Sequence, residues 1–170
     1  MTAPHDDSFI EDLRAFLAGV GQDGPAVAVT TAPRLPDLEP DTRIRTVSGT
    51  TATDLGGLYT SFARVWDFPD HFGRNKDAFD DCMRDLETAA AEGDAPSTIV
   101  VHIAQAHRLL DSDDAGFTWF AQSVEFYRDE YQDGGRTFAV ILSTSDSRLG
   151  EVRSRWSDAG VAITDLSNLR

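Results

Sequence analysis

The sequence predicts an α/β fold with a small, mostly parallel sheet. Two uninterrupted apolar runs, Ile99-Val100-Val101-His102-Ile103 and Phe138-Ala139-Val140-Ile141-Leu142, have the pattern of strands buried on both faces. Segments of helical period separate the strand candidates, and glycine, proline and aspartate clusters punctuate the boundaries. At 170 residues, with 41% hydrophobic and 26% charged content, the chain is long enough to bury a core unaided.

The elements follow in order. Residues 1–7 read as a loose tail. Phe9, Ile10, Leu13, Phe16, Leu17 and Val20 recur at three and four, predicting a helix capped by Asp7 or Ser8. Gly21 to Gly24 stops it, and residues 26–30 make a short strand. Pro33, Pro36 and Pro40 then mark a linker. Residues 43–47 alternate as a strand. A helix capped by Thr53 carries Leu55, Leu58, Tyr59, Phe62 and Trp66, although Gly56 and Gly57 each weaken it by about 1 kcal/mol relative to alanine. A loop spans 68–75, and a helix is predicted from about Lys76 to Ala91. After the strand at 99–103, Gln105 to Leu110 suggests a helical turn. Asp113 or Asp114 caps a helix with Phe117, Phe120, Ala121, Val124, Tyr127 and Tyr131 on one face, ended by Gly134-Gly135. The strand at 138–142, a helix over 148–156 and a strand at 161–163 close the chain.

Charge narrows the function. Twenty-nine acidic residues against 15 basic ones give a net charge of −14. Such a field repels nucleic acid and anionic membranes and attracts basic partners. Lysine occurs once, at Lys76, so arginine supplies the other cations. No apolar run approaches the roughly 18 residues of a membrane span. The first residues lack the basic and apolar regions of a secretory signal, and Cys82 is the single cysteine. A reduced, cytoplasmic setting is therefore expected, with no disulfide framework. The oligomeric state is left open.

Catalytic signatures are missing. There is no Gly-x-Ser-x-Gly elbow, no lysine-bearing phosphate loop and no His-Glu-x-x-His. His5, His71, His102 and His107 lack metal-ligand spacing, and His102 reads as a satisfied interior or edge histidine. Asp111 to Gly116 resembles the start of a calcium loop, but Ala115 and Gln122 stand at ligand positions. No cofactor and no metal are expected.

The helix after Asn75 is the unusual element. Projected at about 100° per residue, Phe79, Cys82, Met83 and Leu86 face the core. Asp77, Asp81, Arg84 and Thr88 face solvent, with Asp80 and Asp85 on the flanks. Like charges at i, i+4 are mutually unfavourable, and the helix N-terminus offsets this only for Asp77. A solvated acidic face and a site for a cationic ligand both fit this spacing.

The run Phe68-Pro69-Asp70-His71-Phe72-Gly73-Arg74-Asn75-Lys76-Asp77-Ala78-Phe79-Asp80-Asp81-Cys82-Met83 resembles the signature of the barstar family, intracellular inhibitors of barnase-type microbial ribonucleases. The pattern is hydrophobic-Pro, two residues, aromatic-Gly-x-Asn-x-Asp-Ala, two residues, Asp-Cys, then apolar. The resemblance covers about Thr42 to Thr144. It implies a barstar-like domain over 42–144; outside it lie an N-terminal extension over 1–41 (helix, short strand and Pro-rich linker) and a C-terminal helix–strand extension over 145–170, whose apolar stripes are expected to pack on the same core as one unit. It also implies mimicry of phosphate: the loop and acidic helix plug a cationic ribonuclease site. By motif position Asp81 would occupy the phosphate subsite and Asp77 would add a second acidic contact. Gly73 and Asn75 would shape the loop and offer backbone and amide contacts. Glu130, found by counting back from Ile141-Leu142-Ser143, would be a third acidic contact. His71, Lys76 and Asp80 depart from the family prototype, which has an aromatic, an apolar residue and a tryptophan there.

The resulting expectation is a non-enzymatic inhibitor of a basic extracellular or toxin-type ribonuclease, with His71, Gly73, Asn75, Asp77, Asp80, Asp81 and Glu130 as target-binding residues. One alternative is a barstar-like immunity or binding module for a different basic protein. Another is a metal-dependent phosphoryl-transfer enzyme using Asp77, Asp80 and Asp81.

Overall fold

A computed structural model of the chain describes residues 7–86 and 95–166. Five strands, β1 (Val27–Thr30), β2 (Thr42–Ser48), β3 (Thr98–Ala104), β4 (Thr137–Ser143) and β5 (Ile163–Asp165), form one sheet in the order β2-β3-β4-β1-β5. Every pairing is parallel. The helices are α1 (Asp7–Val20), α2 (Leu55–Val65), α3 (Lys76–Arg84), α4 (Asp114–Asp133) and α5 (Leu149–Asp158). Parallel neighbours need crossovers of a dozen residues or more, and α4, about 30 Å long at 1.5 Å per residue, spans the step from β3 to β4.

Helices cover both faces of the sheet. Phe138 of β4 meets the rings of Tyr127 and Tyr131, at 5.8 and 5.2 Å between centroids, and so faces α4. Thr137 lies on the other face by the two-residue period of a strand. A β-carbon built on Gly21, just after α1, would stand 3.9 Å from the Thr137 hydroxyl. So α1 covers the face opposite α4, burying Leu13, Phe16 and Val20. Double coverage explains why Ile99 to Ile103 and Phe138 to Leu142 are buried without alternation.

On the α1 side the sheet also buries polar residues, among them His102 and Ser143. His102 is 2% exposed. Its Nδ1 lies 2.9 Å from Thr46 Oγ1, and its Nε2 lies 2.7 Å from Ser143 Oγ. The Ser143 hydroxyl donates to the carbonyl of Ala32 at 2.7 Å. That commits its proton, so Ser143 accepts from Nε2–H and Thr46 donates to Nδ1. The ring is therefore neutral, and burial pulls its pKa from 6.5 down to about 4. The network ties β2, β3, β4 and the linker after β1 together.

Several boundaries differ from the sequence expectation. Asp7 and Ser8 lie inside α1 rather than capping it; Asp7 places its charge in the first turn, where the helix dipole favours it. Asp54, not Thr53, caps α2, because its Oδ1 reaches Gly57 N at 2.8 Å, while the Thr53 carbonyl accepts from Ser112 N. Gly57 is needed there: a β-carbon would come within 2.5 Å of the Thr51 carbonyl. Helix α3 ends at Arg84, since Asp85 N turns back to the Cys82 carbonyl. The expected continuation over 87–91, Thr88 with it, and the tail over 1–6 lie outside the described residues. The final strand begins at Ile163.

Candidate functional site

Local chemistry builds the loop and α3 from both ends. Arg74 adopts a left-handed backbone, φ 52. Its guanidinium donates to the Gly56 carbonyl at 3.2 Å and to Thr60 Oγ1 at 2.9 Å, which fastens the loop to α2. Phe68 and Phe72 pack edge to face at 5.1 Å, and Phe72 also meets Tyr59 at 5.9 Å. His71 and Gly73 are left exposed beside them. Asn75 caps α3: its Oδ1 accepts from Ala78 N at 2.8 Å, and its Nδ2 donates to the Gly73 carbonyl at 3.3 Å. Both ends of the Asn75 amide are thus used in setting the loop.

The underside of α3 is fixed by Phe79. Its ring lies 5.2–6.2 Å from those of Tyr59, Phe62, Phe68, Trp119 and Phe120. Met83 is fully buried beside it. The C-terminal end is held by α4. The Tyr131 hydroxyl donates to the Met83 carbonyl at 2.7 Å and accepts from Leu86 N at 3.0 Å. These are terminal backbone groups that a helix cannot satisfy by itself.

The upper surface carries the acid. Asp77 is exposed, and the side chain of Asp81 is 71% exposed. The two stand one turn apart. Glu130, exposed on α4, lies close enough to act electrostatically on Arg84, and Arg84 pairs with Asp81. Asp81, Arg84 and Glu130 therefore form one patch across α3 and α4. An open hollow of about 670 Å³ at the start of α3 is lined by Tyr59, Arg74, Asn75, Lys76 and Asp77. Lys76 lies over the Trp119 ring at 5.4 Å.

Asp80 does not join the exposed ridge. It is half-buried and accepts a hydrogen bond from the Tyr127 hydroxyl. Burial, and then the bond to Asp80, push the Tyr127 pKa well above its ordinary value, so the tyrosine stays a donor. Cys82 is half-buried rather than a full member of the core. Burial, followed by the carboxylates of Asp81 and Asp85, raises its thiol pKa. Among the described residues no three His, Cys, Asp or Glu side chains gather closely enough to hold a metal ion. No helix there is long and apolar enough to cross a membrane.

Sequence reasoning did not single out Arg74, Tyr127, Tyr131 or Phe126. The two tyrosines read as members of an apolar stripe. Their one signal is the residue type, because a buried tyrosine hydroxyl needs a partner.

Fold and site together describe an α/β scaffold with an exposed acidic helix on its surface. The family described as Barstar (barnase inhibitor) matches residues 42–143, more than half of the chain, and the protein belongs to that family. The match starts at β2 and ends with the last residue of β4, so α1, β1, α5 and β5 lie outside it. No curated protein matches the chain.

Proposed function

We propose that the protein inhibits a barnase-type ribonuclease by seating α3 and its preceding loop in the enzyme's cationic active site. The observation that carries this reading is the exposure of Asp77 and Asp81 on a helix capped at one end, pinned beneath by Phe79 and tied at the other end by Tyr131. Carboxylates held in place lose little side-chain freedom on binding. They offer a cation-lined site the charge-assisted hydrogen bonds it makes with phosphate. The net charge of −14 adds long-range attraction for a basic enzyme and speeds encounter.

In this reading Asp81 fills the phosphate subsite, Asp77 supports it, and Glu130 contacts the enzyme from α4. Gly73 and His71 line the rim. Asn75 acts through the loop it caps. Asp80 acts as a positioning residue, because its carboxylate is engaged by Tyr127. The target is a basic extracellular or toxin-type ribonuclease, met in the cytoplasm of the cell that needs protection from it. Residues 1–41 and 145–170 are read as integral extensions of the 42–144 domain.

The substitutions at His71 and Lys76 favour a second reading, in which the same face is an immunity module against another basic protein. The phosphoryl-transfer reading has less support: Asp80 is turned towards Tyr127 and Asp81 towards Arg84, so the three carboxylates do not converge. Affinity capture with the full chain, followed by a ribonuclease assay of the captured protein, tests the proposal. A captured ribonuclease whose activity the chain suppresses supports it. A captured basic protein without that activity favours the second reading and contradicts the first.

A further inference from the structure

We propose that Arg84 is a resident cation that clasps Asp81 while resting against Phe126 in the unbound protein, and that it stays on Phe126 when a partner's cation takes the carboxylate, so that Arg84 and Phe126 set the specificity of the interface. This rests on the reading that Asp81 engages an enzyme cation. Arg84 lies one turn after Asp81 on α3 and donates to its Oδ1. The same guanidinium carbon stands 5.9 Å from the centre of the Phe126 ring on α4. Phe126 is 46% exposed, the sole large hydrophobic left so among the described residues. Its neighbours Val124 and Tyr127 are buried. Glu130, one turn further along α4, attracts the same guanidinium.

Arg84 therefore touches, at the same time, a carboxylate on α3 and an aromatic shelf with its own carboxylate on α4. An exposed ion pair and an exposed cation–π contact are of comparable strength, so the aromatic shelf retains Arg84 when the carboxylate is taken. A planar guanidinium suits both positions in a way that an ammonium does not. A weakly placed cation fails to displace Arg84. A partner that presents a fixed cation to Asp81 and a flat apolar group to Phe126 succeeds.

Barnase is the probe for the test, with kinetics measured for the wild-type chain, Arg84→Gln, Phe126→Ala, Asp81→Asn and Arg84→Gln/Asp81→Asn. Arg84→Gln is expected to bind about two- to five-fold tighter, the scale of one exposed ion pair. The gain should vanish in the Asp81→Asn background, which separates loss of the clasp from a general increase in negative charge. Phe126→Ala should bind a few-fold more weakly. Unchanged or weaker binding by Arg84→Gln, or a gain that persists with Asp81→Asn, would overturn the inference. A second arm needs no partner: NMR of the Arg84 guanidinium Nη–H groups in the free protein, since Nη2 is the donor to Asp81. Slow exchange that quickens in Asp81→Asn supports the clasp, and fast exchange in the wild type overturns it. If no variant binds barnase, the ribonuclease reading fails for that enzyme and this arm decides the clasp by itself.

Discussion

Removing a single oxygen from Tyr131 tests how α3 is held in place. In Tyr131→Phe the ring keeps its stack on Phe138 at 5.2 Å, so no cavity opens. What disappears is the hydroxyl that donates to the Met83 carbonyl at 2.7 Å and accepts from Leu86 N at 3.0 Å. Tyr131 is 3% exposed, so water does not readily replace it. Stranding a buried donor or acceptor costs about 1–3 kcal/mol, and with two groups affected the expected loss is about 2–4 kcal/mol. With a urea slope of about 2 kcal/mol per molar, typical of a small domain, the unfolding midpoint should fall by about 1–2 M with the slope unchanged. Urea titrations followed by tryptophan fluorescence and by circular dichroism measure this. Target binding should weaken as well, because the end of the acidic helix is released although Tyr131 itself is buried. A loss below about 0.5 kcal/mol would refute the argument that this hydroxyl anchors α3.

Two further outcomes follow from the same geometry. His102 has a folded pKa of about 4 against an unfolded 6.5, so the unfolded chain binds the extra proton first as pH falls. Its contribution is complete above pH 6.5 and is lost towards pH 4. The linkage amounts to about 2 kcal/mol between pH 8 and pH 5, read from urea midpoints, and a flat profile over that window would contradict the buried neutral ring. Asn75→Ala should cost about 1 kcal/mol through loss of the α3 cap, with Asn75→Asp retaining most of it; equal melting of Asn75→Ala and wild type would show that the cap contributes nothing.

Local pattern made the helices and the two central strands legible, because both signals lie within a dozen residues. The signature from Phe68 to Met83 likewise carried the loop and α3 in one contiguous run. The place of β1 was not legible: its pairing with β4 on one side and β5 on the other joins residues more than a hundred apart. Nor was the direction of Asp80. Helical projection puts it at the border between solvent and core, and only the approach of Tyr127 from α4 turns it inward. Thr53 and Asp54 are both acceptable caps by residue type, and the choice depends on where the backbone of Gly57 falls. The Tyr131 latch was hidden for the same reason as Asp80, since a tyrosine in an apolar stripe does not reveal what its hydroxyl will meet.

The central claim is that a pre-positioned Asp81 carboxylate replaces phosphate in a cationic enzyme site. Its most direct measurement is the affinity of Asp81→Ala for the captured ribonuclease, alongside its unfolding curve. The fold should be unchanged to within about 0.5 kcal/mol, since alanine's helix propensity and relief of repulsion from Asp77 offset loss of the exposed pair with Arg84. Affinity should fall by about 2–5 kcal/mol, roughly 30- to several-thousand-fold in Kd, a scale set by charge pairs in barnase–barstar complexes themselves. A folded Asp81→Ala protein that binds and inhibits as tightly as wild type would contradict the account.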